Sequence, residues 1–309
     1  MPKRKGSCKI RLEHALFAGA LSLARVSPPR ALALERRALV ALLRLGGRRH
    51  AQRVARNLAL SFPGAAPAWR QDLQGRVYDH FAAVFLELAH AFGRNATRAV
   101  LERARVSGME NLERALGKGR GAVVFSAHFG NWEWLPLLLS DRLGRPVHSV
   151  ARPMDNPLIE ARVRAFREAL GSRIIYKQGS LRTILKRLAE NEVVYLLIDQ
   201  NAVAREGVFV DFFGRPAATV ATPAQLHLKK GIPLVPAFLH YEKEEVVLEV
   251  LPEIGFSARG DEPAAVTRLT QELTRLIEEQ VRRFPEQWLW FHDRWRTRPP
   301  EQGGSHESP

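Results

Sequence analysis

The feature that most constrains this chain is the alternation that begins at Gly121. Ala122–Phe125 is a short apolar run bounded by glycine, which suits a buried strand. Helical and strand-like stretches then follow one another: a helix near Trp132–Asp141, a strand at Val147–Val150, a helix at Pro157–Leu170 and a strand at Arg173–Tyr176. A helix at Ser180–Glu190 and a strand at Val193–Ile198 continue the series. Strands at Val208–Phe212, Leu234–Leu239 and Glu245–Val250 frame a helix at Pro223–Lys230, and a long amphipathic helix at Ala264–Phe284 closes it. Such alternation predicts an α/β fold, a mainly parallel sheet flanked by helices. Residues 31–117 read as helical, with Leu73, Val77, Phe81, Val84, Phe85 and Leu88 near a 3.6-residue period, so an N-terminal helical layer is expected. A short helix at Gly108–Leu116, closed by Gly117, ends that layer. No flexible linker or internal repeat divides residues 31–300, and a disordered tail is expected at 301–309.

Charge sets the first 60 residues apart. They hold 14 Lys/Arg against 2 Asp/Glu, which leaves 33 against 30 in the rest of a 309-residue chain of net charge +15. A basic arm on a near-neutral body attracts a polyanion: an anionic lipid surface, nucleic acid or an acidic protein. Within the arm, the apolar stretch His14–Ala24 follows a basic lead and precedes an Arg-punctuated apolar segment at Ala31–Leu45. That interleaving points to an interfacial helix, and residues 1–30 are expected to associate with a membrane and to contribute little core. A signal peptide and a solvated arginine face are the competing readings. No uncharged apolar run approaches the ~18–20 residues that a transmembrane helix needs. The single cysteine, Cys8, excludes a disulfide framework and a Cys-rich zinc site.

Ser126-Ala-His-Phe-Gly-Asn-Trp-Glu-Trp134 follows directly on the first buried strand, where α/β sheets place ligands. His128 and Glu133 are five residues apart. On one continuous helix they would point roughly 140° apart. They meet only if His128 lies in the loop and Glu133 in the first helical turn, with Gly130-Asn131 supplying the turn and a cap. A carboxylate there would hold one imidazole nitrogen as N–H and leave the other as a general base. The alternative is that His128 merely satisfies the strand end while Glu133 favours the helix start. The chain has no Gly-x-Ser-x-Gly elbow, so the hydroxyl to be activated belongs to the substrate, which favours a transferase over a covalent hydrolase. His-Glu-x-x-His, Gly-x4-Gly-Lys-Ser/Thr and Gly-x-Gly-x-x-Gly do not occur, so neither metal nor nucleotide cofactor is expected.

His128-Phe-Gly-Asn-Trp-Glu133 resembles the His-x4-Asp/Glu motif of glycerolipid acyltransferases, and in its fuller form that of the late lipid A acyltransferase family. Further segments are similar to that family in order: Arg152-Pro-Met-Asp-Asn-Pro157, Arg167 with Gly171, Asp199-Gln-Asn201, Gly207–Pro216 and Trp290–Pro299. Asp293 stands where that family usually carries a basic residue. The resemblance implies transfer of a fatty acyl chain from an acyl carrier protein thioester to a glycolipid hydroxyl, on the cytoplasmic face of the inner membrane. It implies catalysis by His128 and Glu133. It implies substrate binding at the matched positions Arg152, Asn156, Arg167, Asp199, Gln200 and Arg215.

Each of these residues has a plainer reading. Arg152 and Arg167 are candidates for a substrate phosphate or the developing oxyanion, or solvated arginines. Asp199 is a candidate to orient Arg167 or a substrate hydroxyl, or a loop cap. Phe212-Phe213 reads first as core, and Thr219 and Thr222-Pro223 as helix-start chemistry. Trp288, Trp290 and Trp295 form either an interfacial belt or a C-terminal cap. Two arginine clusters, Arg294/Arg296/Arg298 and Arg162/Arg164/Arg167, are candidate docking faces for an acidic carrier protein. Three rivals remain: acylation of a phosphatidylinositol mannoside or lysophospholipid from acyl-CoA, a thioesterase, and a basic nucleic-acid-binding protein.

Overall fold

The computed structural model describes residues 6–299 apart from 46, 95–96, 204–206, 244 and 258–261. The expected tail at 301–309 lies outside the described residues. The chain opens with α1 (Ser7–Val26), α2 (Leu32–Leu45), α3 (Arg48–Ser61), α4 (Pro67–Arg94) and α5 (Thr97–Glu102). Then come β1 (Arg105–Ser107), α6 (Met109–Leu116), β2 (Ala122–Ser126), α7 (Trp134–Leu143), β3 (Val147–Ala151) and α8 (Pro157–Arg167). β4 (Arg173–Tyr176), α9 (Ser180–Ala189), β5 (Val193–Leu197), β6 (Gly207–Asp211) and β7 (Pro216–Val220) follow. α10 (Thr222–Lys230), β8 (Leu234–Glu242), β9 (Glu245–Val250) and α11 (Glu262–Arg283) complete the order.

Seven strands form one sheet in the order β1-β9-β8-β2-β5-β3-β4. All its neighbours run parallel except the β8–β9 pair. This is the expected α/β architecture, a mainly parallel sheet with helices on both faces. β2 is buried along its whole length, because side chains of opposite parity enter opposite cores. Val123 and Phe125 join one core with Leu58 of α3, Phe81 of α4 and Leu273 of α11. Ala122 and Val124 join the other with Leu112 of α6, Leu138 of α7 and Phe166 of α8.

Two strands lay outside the expectation. β1 interrupts the helical layer with only three residues, too short to show a period, and pairs in parallel with β9. β7 pairs antiparallel with β6 as a separate two-stranded sheet, and its Pro-Ala-Ala start carries no strand signal.

The N-terminal segment is more deeply built in than its composition implied. Leu21 and Ala24 of α1 are buried. Phe17 meets Phe92 edge-on, Phe92 stacks on Phe166 at 4.1 Å, and Phe166 meets Trp134, so an aromatic chain runs from α1 through α4 and α8 to α7. Removing residues 1–30 therefore strips a packed helix rather than a loose arm. The opposite side of α1 presents Leu12, Leu16, Leu23 and Val26, each at least 60% exposed and all within one arc of the helix. Among the described residues no helix is long and apolar enough to cross a membrane.

Candidate active site

The parallel register of β2 and β5 builds the centre of the site. Ser126 lies opposite Leu197, and Ile198 N donates to Ser126 O at 3.1 Å, so continuing both strands by two residues brings His128 beside Asp199. His128 Nδ1–H donates to Asp199 Oδ1 at 2.8 Å, and the His128 backbone N–H donates to Oδ2 at 2.9 Å. The Trp288 indole N–H donates to Oδ2 as well, at 2.8 Å. Burial pushes the Asp199 carboxyl up, but the adjoining imidazole and these three donors outweigh it, so it sits below the usual aspartate value. The imidazole is thereby held with its proton on Nδ1 and its lone pair on Nε2.

Glu133 was expected in this role and does not take it. His128 does lie in the loop and Glu133 at the start of α7, as their spacing required. Yet the Glu133 carboxylate turns to α8, where Arg167 grips it through Nε at 2.8 Å and Nη2 at 2.6 Å. Burial pulls the Arg167 guanidinium down, and Glu133 more than restores it. Asp199, read as a partner for Arg167, is instead the partner of His128. The sequence spacing of His128 and Glu133 reflects a shared cavity, not a shared hydrogen bond.

The loop between them is fixed from three directions. Gly130 has φ +55°, and a Cβ there would lie 1.9 Å from Leu239 O, so only glycine fits. Its N–H donates to Gln287 O, and Leu289 N–H donates to His128 O, which lays residues 287–289 alongside. From α4, Glu87 accepts from Trp134 Nε1 at 3.1 Å, from Asn131 Nδ2 at 3.4 Å and from the Tyr241 hydroxyl.

A cavity of about 600 Å³ opens at these strand ends. His128, Glu133, Arg152, Arg167 and Gln200 all line it, with Trp132, Lys177, Thr222 and Arg296. Asp199 sits behind His128, 3% exposed. Two expected substrate contacts lie elsewhere. Asn156 is the buried N-cap of α8, accepting from Leu158 N at 3.0 Å and Ile159 N at 3.3 Å, and donating to Ile10 O of α1 at 2.9 Å. Arg215 is exposed at the tip of the β6–β7 hairpin.

The C-terminal motif also resolves. Trp288 and Trp290 are fully buried and Trp295 packs against the same core, so they are a cap and not a surface belt. Arg294 is fully buried as well, bonded to Ala218 O at 2.6 Å and to the Thr219 hydroxyl, which removes it from any docking face. Burial lowers it to about 10. Asp293, at the atypical position, pairs with Arg56 of α3. Among the described residues no group of His, Cys, Asp and Glu is arranged to hold a metal ion.

Sequence reasoning missed Glu87 and Gln287, and the roles of Trp288 and Trp132 around His128. The Trp132 ring lies tilted on the imidazole at 5.1 Å, inside the very motif that was singled out. The others come from elements far along the chain and had no local signal.

A histidine held by a buried carboxylate at the mouth of a mainly parallel sheet, facing a cavity with an arginine–glutamate pair, has the geometry that a general base requires. Residues 3–297 match the family described as "Bacterial lipid A biosynthesis acyltransferase", and the chain belongs to that family. Among curated proteins, a phosphatidylinositol mannoside acyltransferase of Mycolicibacterium smegmatis is 32% identical over 176 residues, 56% of each chain. A lipid A biosynthesis acyltransferase of Haemophilus influenzae is 26% identical over 67% of this chain and 65% of that one. The lipid A biosynthesis myristoyltransferase of Escherichia coli is 22% identical over 74% and 70%. The matched stretches span about half to two thirds of the length of the first relatives.

Proposed function

We propose that this protein is an O-acyltransferase that moves a fatty acyl chain from a thioester to a hydroxyl of a membrane glycolipid. The observation that carries this reading is the His128–Asp199 pair, with Nδ1 engaged at 2.8 Å and Nε2 facing the cavity. His128 Nε2 takes the proton of the acceptor hydroxyl as its oxygen attacks the thioester carbonyl. Asp199 stabilises the imidazolium that forms, and the imidazolium then returns the proton to the departing thiolate. Arg167, fixed by Glu133 on the cavity wall, is the cation available to the developing oxyanion, and Arg152 and Lys177 supply positive charge for a phosphate-bearing substrate.

The finer assignment is a lipid A-type acceptor and an acyl carrier protein donor, at the cytoplasmic face of the inner membrane. Family membership supports the acceptor class. The exposed apolar stripe of α1, flanked by Lys9, Arg11 and Arg25, supports attachment to an anionic surface. With Arg294 buried and Arg167 paired inside the cavity, the exposed arginines left for a carrier protein are Arg162 and Arg164 of α8, the latter paired with Glu168, and Arg296 and Arg298 of the C-terminal segment. A phosphatidylinositol mannoside acceptor is the second reading, favoured by the 32% identity to the mycolicibacterial relative.

Lipid mass spectrometry of cells with and without the protein separates these, because the added mass on a named lipid identifies donor and acceptor together. An acyl increment on a lipid A precursor that His128→Ala abolishes is the expected result. An unchanged lipidome overturns the acyltransferase reading.

A further inference from the structure

The imidazole of His128 is enclosed on every side that the fold controls. Nδ1 is bonded to Asp199 at 2.8 Å, and Trp132 covers the ring at 5.1 Å. The third contact falls on the reacting atom: the Gln200 side-chain amide lies 3.2 Å from Nε2. Because Asp199 can only accept, Nδ1 carries the ring proton and Nε2 presents a lone pair. The Gln200 amide must therefore turn its N–H toward it.

The backbone on both sides of Gln200 is held in place. Asp199 is bonded to His128 and Trp288, and Asn201 N–H donates to His292 Nε2 at 2.9 Å. The Asn201 side chain donates to Thr297 Oγ1 and accepts from Thr297 N–H, and Ala202 N–H donates to Ala218 O. The turn is thus anchored through its neighbours, and the Gln200 side chain reaches into the cavity with its amide at the lone pair.

We infer that Gln200 guards the general base against water, occupying Nε2 until an acceptor hydroxyl displaces it, and so sets the ratio of acyl transfer to thioester hydrolysis. This rests on the acyltransferase reading above. In the side reaction, water adds to the thioester carbonyl carbon as His128 Nε2 takes one of its protons. The C–S bond breaks, the proton passes to the thiolate, and a free fatty acid and a thiol result. A lone water gains only its own hydrogen bond by displacing the amide. A bound acceptor brings further contacts that offset the loss, so the amide selects for the larger nucleophile.

The test uses the full chain, palmitoyl thioesters of acyl carrier protein and of CoA as probes, and vesicles with or without a lipid A precursor, with free palmitate and acylated lipid counted by mass spectrometry. Gln200→Ala removes the amide. Gln200→Met keeps its bulk without the donor, and serves if the alanine variant loses thermal stability. Both should raise the hydrolysis-to-transfer ratio about three- to tenfold, the size of one neutral hydrogen bond, and His128→Ala should abolish both products. An unchanged or lower ratio in both folded variants overturns the guard. A wild-type chain that consumes no thioester in any arm overturns the acyltransferase reading, and the guard with it.

Discussion

Replacing Asp199 by asparagine separates chemistry from folding at this site. The carboxylate accepts three hydrogen bonds: the His128 backbone N–H and the Trp288 indole on Oδ2, and the imidazole Nδ1–H on Oδ1. Asparagine with its oxygen at the Oδ2 position keeps the first two, including that of the fully buried Trp288. Its amide nitrogen then faces Nδ1, and two donors cannot share one bond. The ring must move its proton to Nε2, which places the lone pair on the wrong nitrogen and disables the base. Two retained bonds of three limit the stability loss to about 1–3 kcal/mol. Removing general-base assistance costs about 10²–10⁴ in kcat. Glu133→Gln leaves the tautomer untouched and perturbs only the grip on Arg167. The assay is transfer rate for both variants, with melting temperature as the fold control. Asp199→Asn should fall about 10²–10⁴-fold in kcat while remaining folded, whereas Glu133→Gln falls less. A folded Asp199→Asn protein within about threefold of wild-type kcat refutes the assignment of Asp199 as the group that orients His128.

Other outcomes follow from the same coordinates. Asn156→Ala removes an N-cap worth about 1 kcal/mol together with the bond to Ile10 O, so calorimetry should show a lower melting temperature while kcat per folded molecule is unchanged. Burial holds His80 and His292 down to about 4 each, against an ordinary value of 6.5, so the unfolded chain takes up their protons first. Melting temperature should therefore decline as pH falls from about 6.5 toward 4, and His292→Gln should flatten that slope. The Asp199 carboxylate, held low, adds stability that is lost only at still lower pH, through and below the ordinary aspartate range. Replacing Leu12, Leu16 and Leu23 by glutamine keeps the inner face of α1 and removes its exposed stripe. At about 1 kcal/mol for each partly inserted leucine, binding to anionic vesicles should weaken at least tenfold without loss of melting temperature. Unchanged sedimentation would place the membrane contact elsewhere.

What the sequence disclosed divides along the range of the contacts involved. β2, β5 and β8 were legible because each is a short apolar run closed by turn residues, and the long α11 because its period extends over five turns. The order β1-β9-β8-β2-β5-β3-β4 was not, since nothing local records which run lies beside which. That gap explains the misassigned carboxylate. His128 and Asp199 are 71 residues apart and meet only because β2 and β5 are neighbours in register. Glu133 was the nearer carboxylate in sequence and the wrong one in space. The choice between a surface belt and a C-terminal cap for the three tryptophans stayed open for a related reason, and the structure shows the cap. Composition reports that a segment holds Trp and Arg together, but not that Arg294 folds inward onto the carbonyl of Ala218.

Glu87 shows why the N-terminal layer belongs to the site and is not an accessory to it. Its carboxylate is buried among three neutral donors, and burial pushes it up despite them, a costly arrangement unless the ordering it imposes is needed. Two of those donors, Asn131 and Trp134, bracket Glu133. α4 also carries α1 and α2, through Phe17 on Phe92, through Glu35 on His90 at 3.0 Å and through Arg36 on Asp79. His128 is held by β5 and residues 287–289, which are parts of the sheet domain. Glu133 is bonded to Arg167 of α8, and its neighbours Asn131 and Trp134 are bonded to Glu87 of the helical layer. The loop that carries His128 and Glu133 is thus anchored at one end to the sheet and at the other to the helices that carry the exposed apolar stripe. Tyr241 of β8 donates to the same Glu87, so the helical anchor of the loop is itself tied to the sheet, and the two layers hold His128 and Glu133 in one frame.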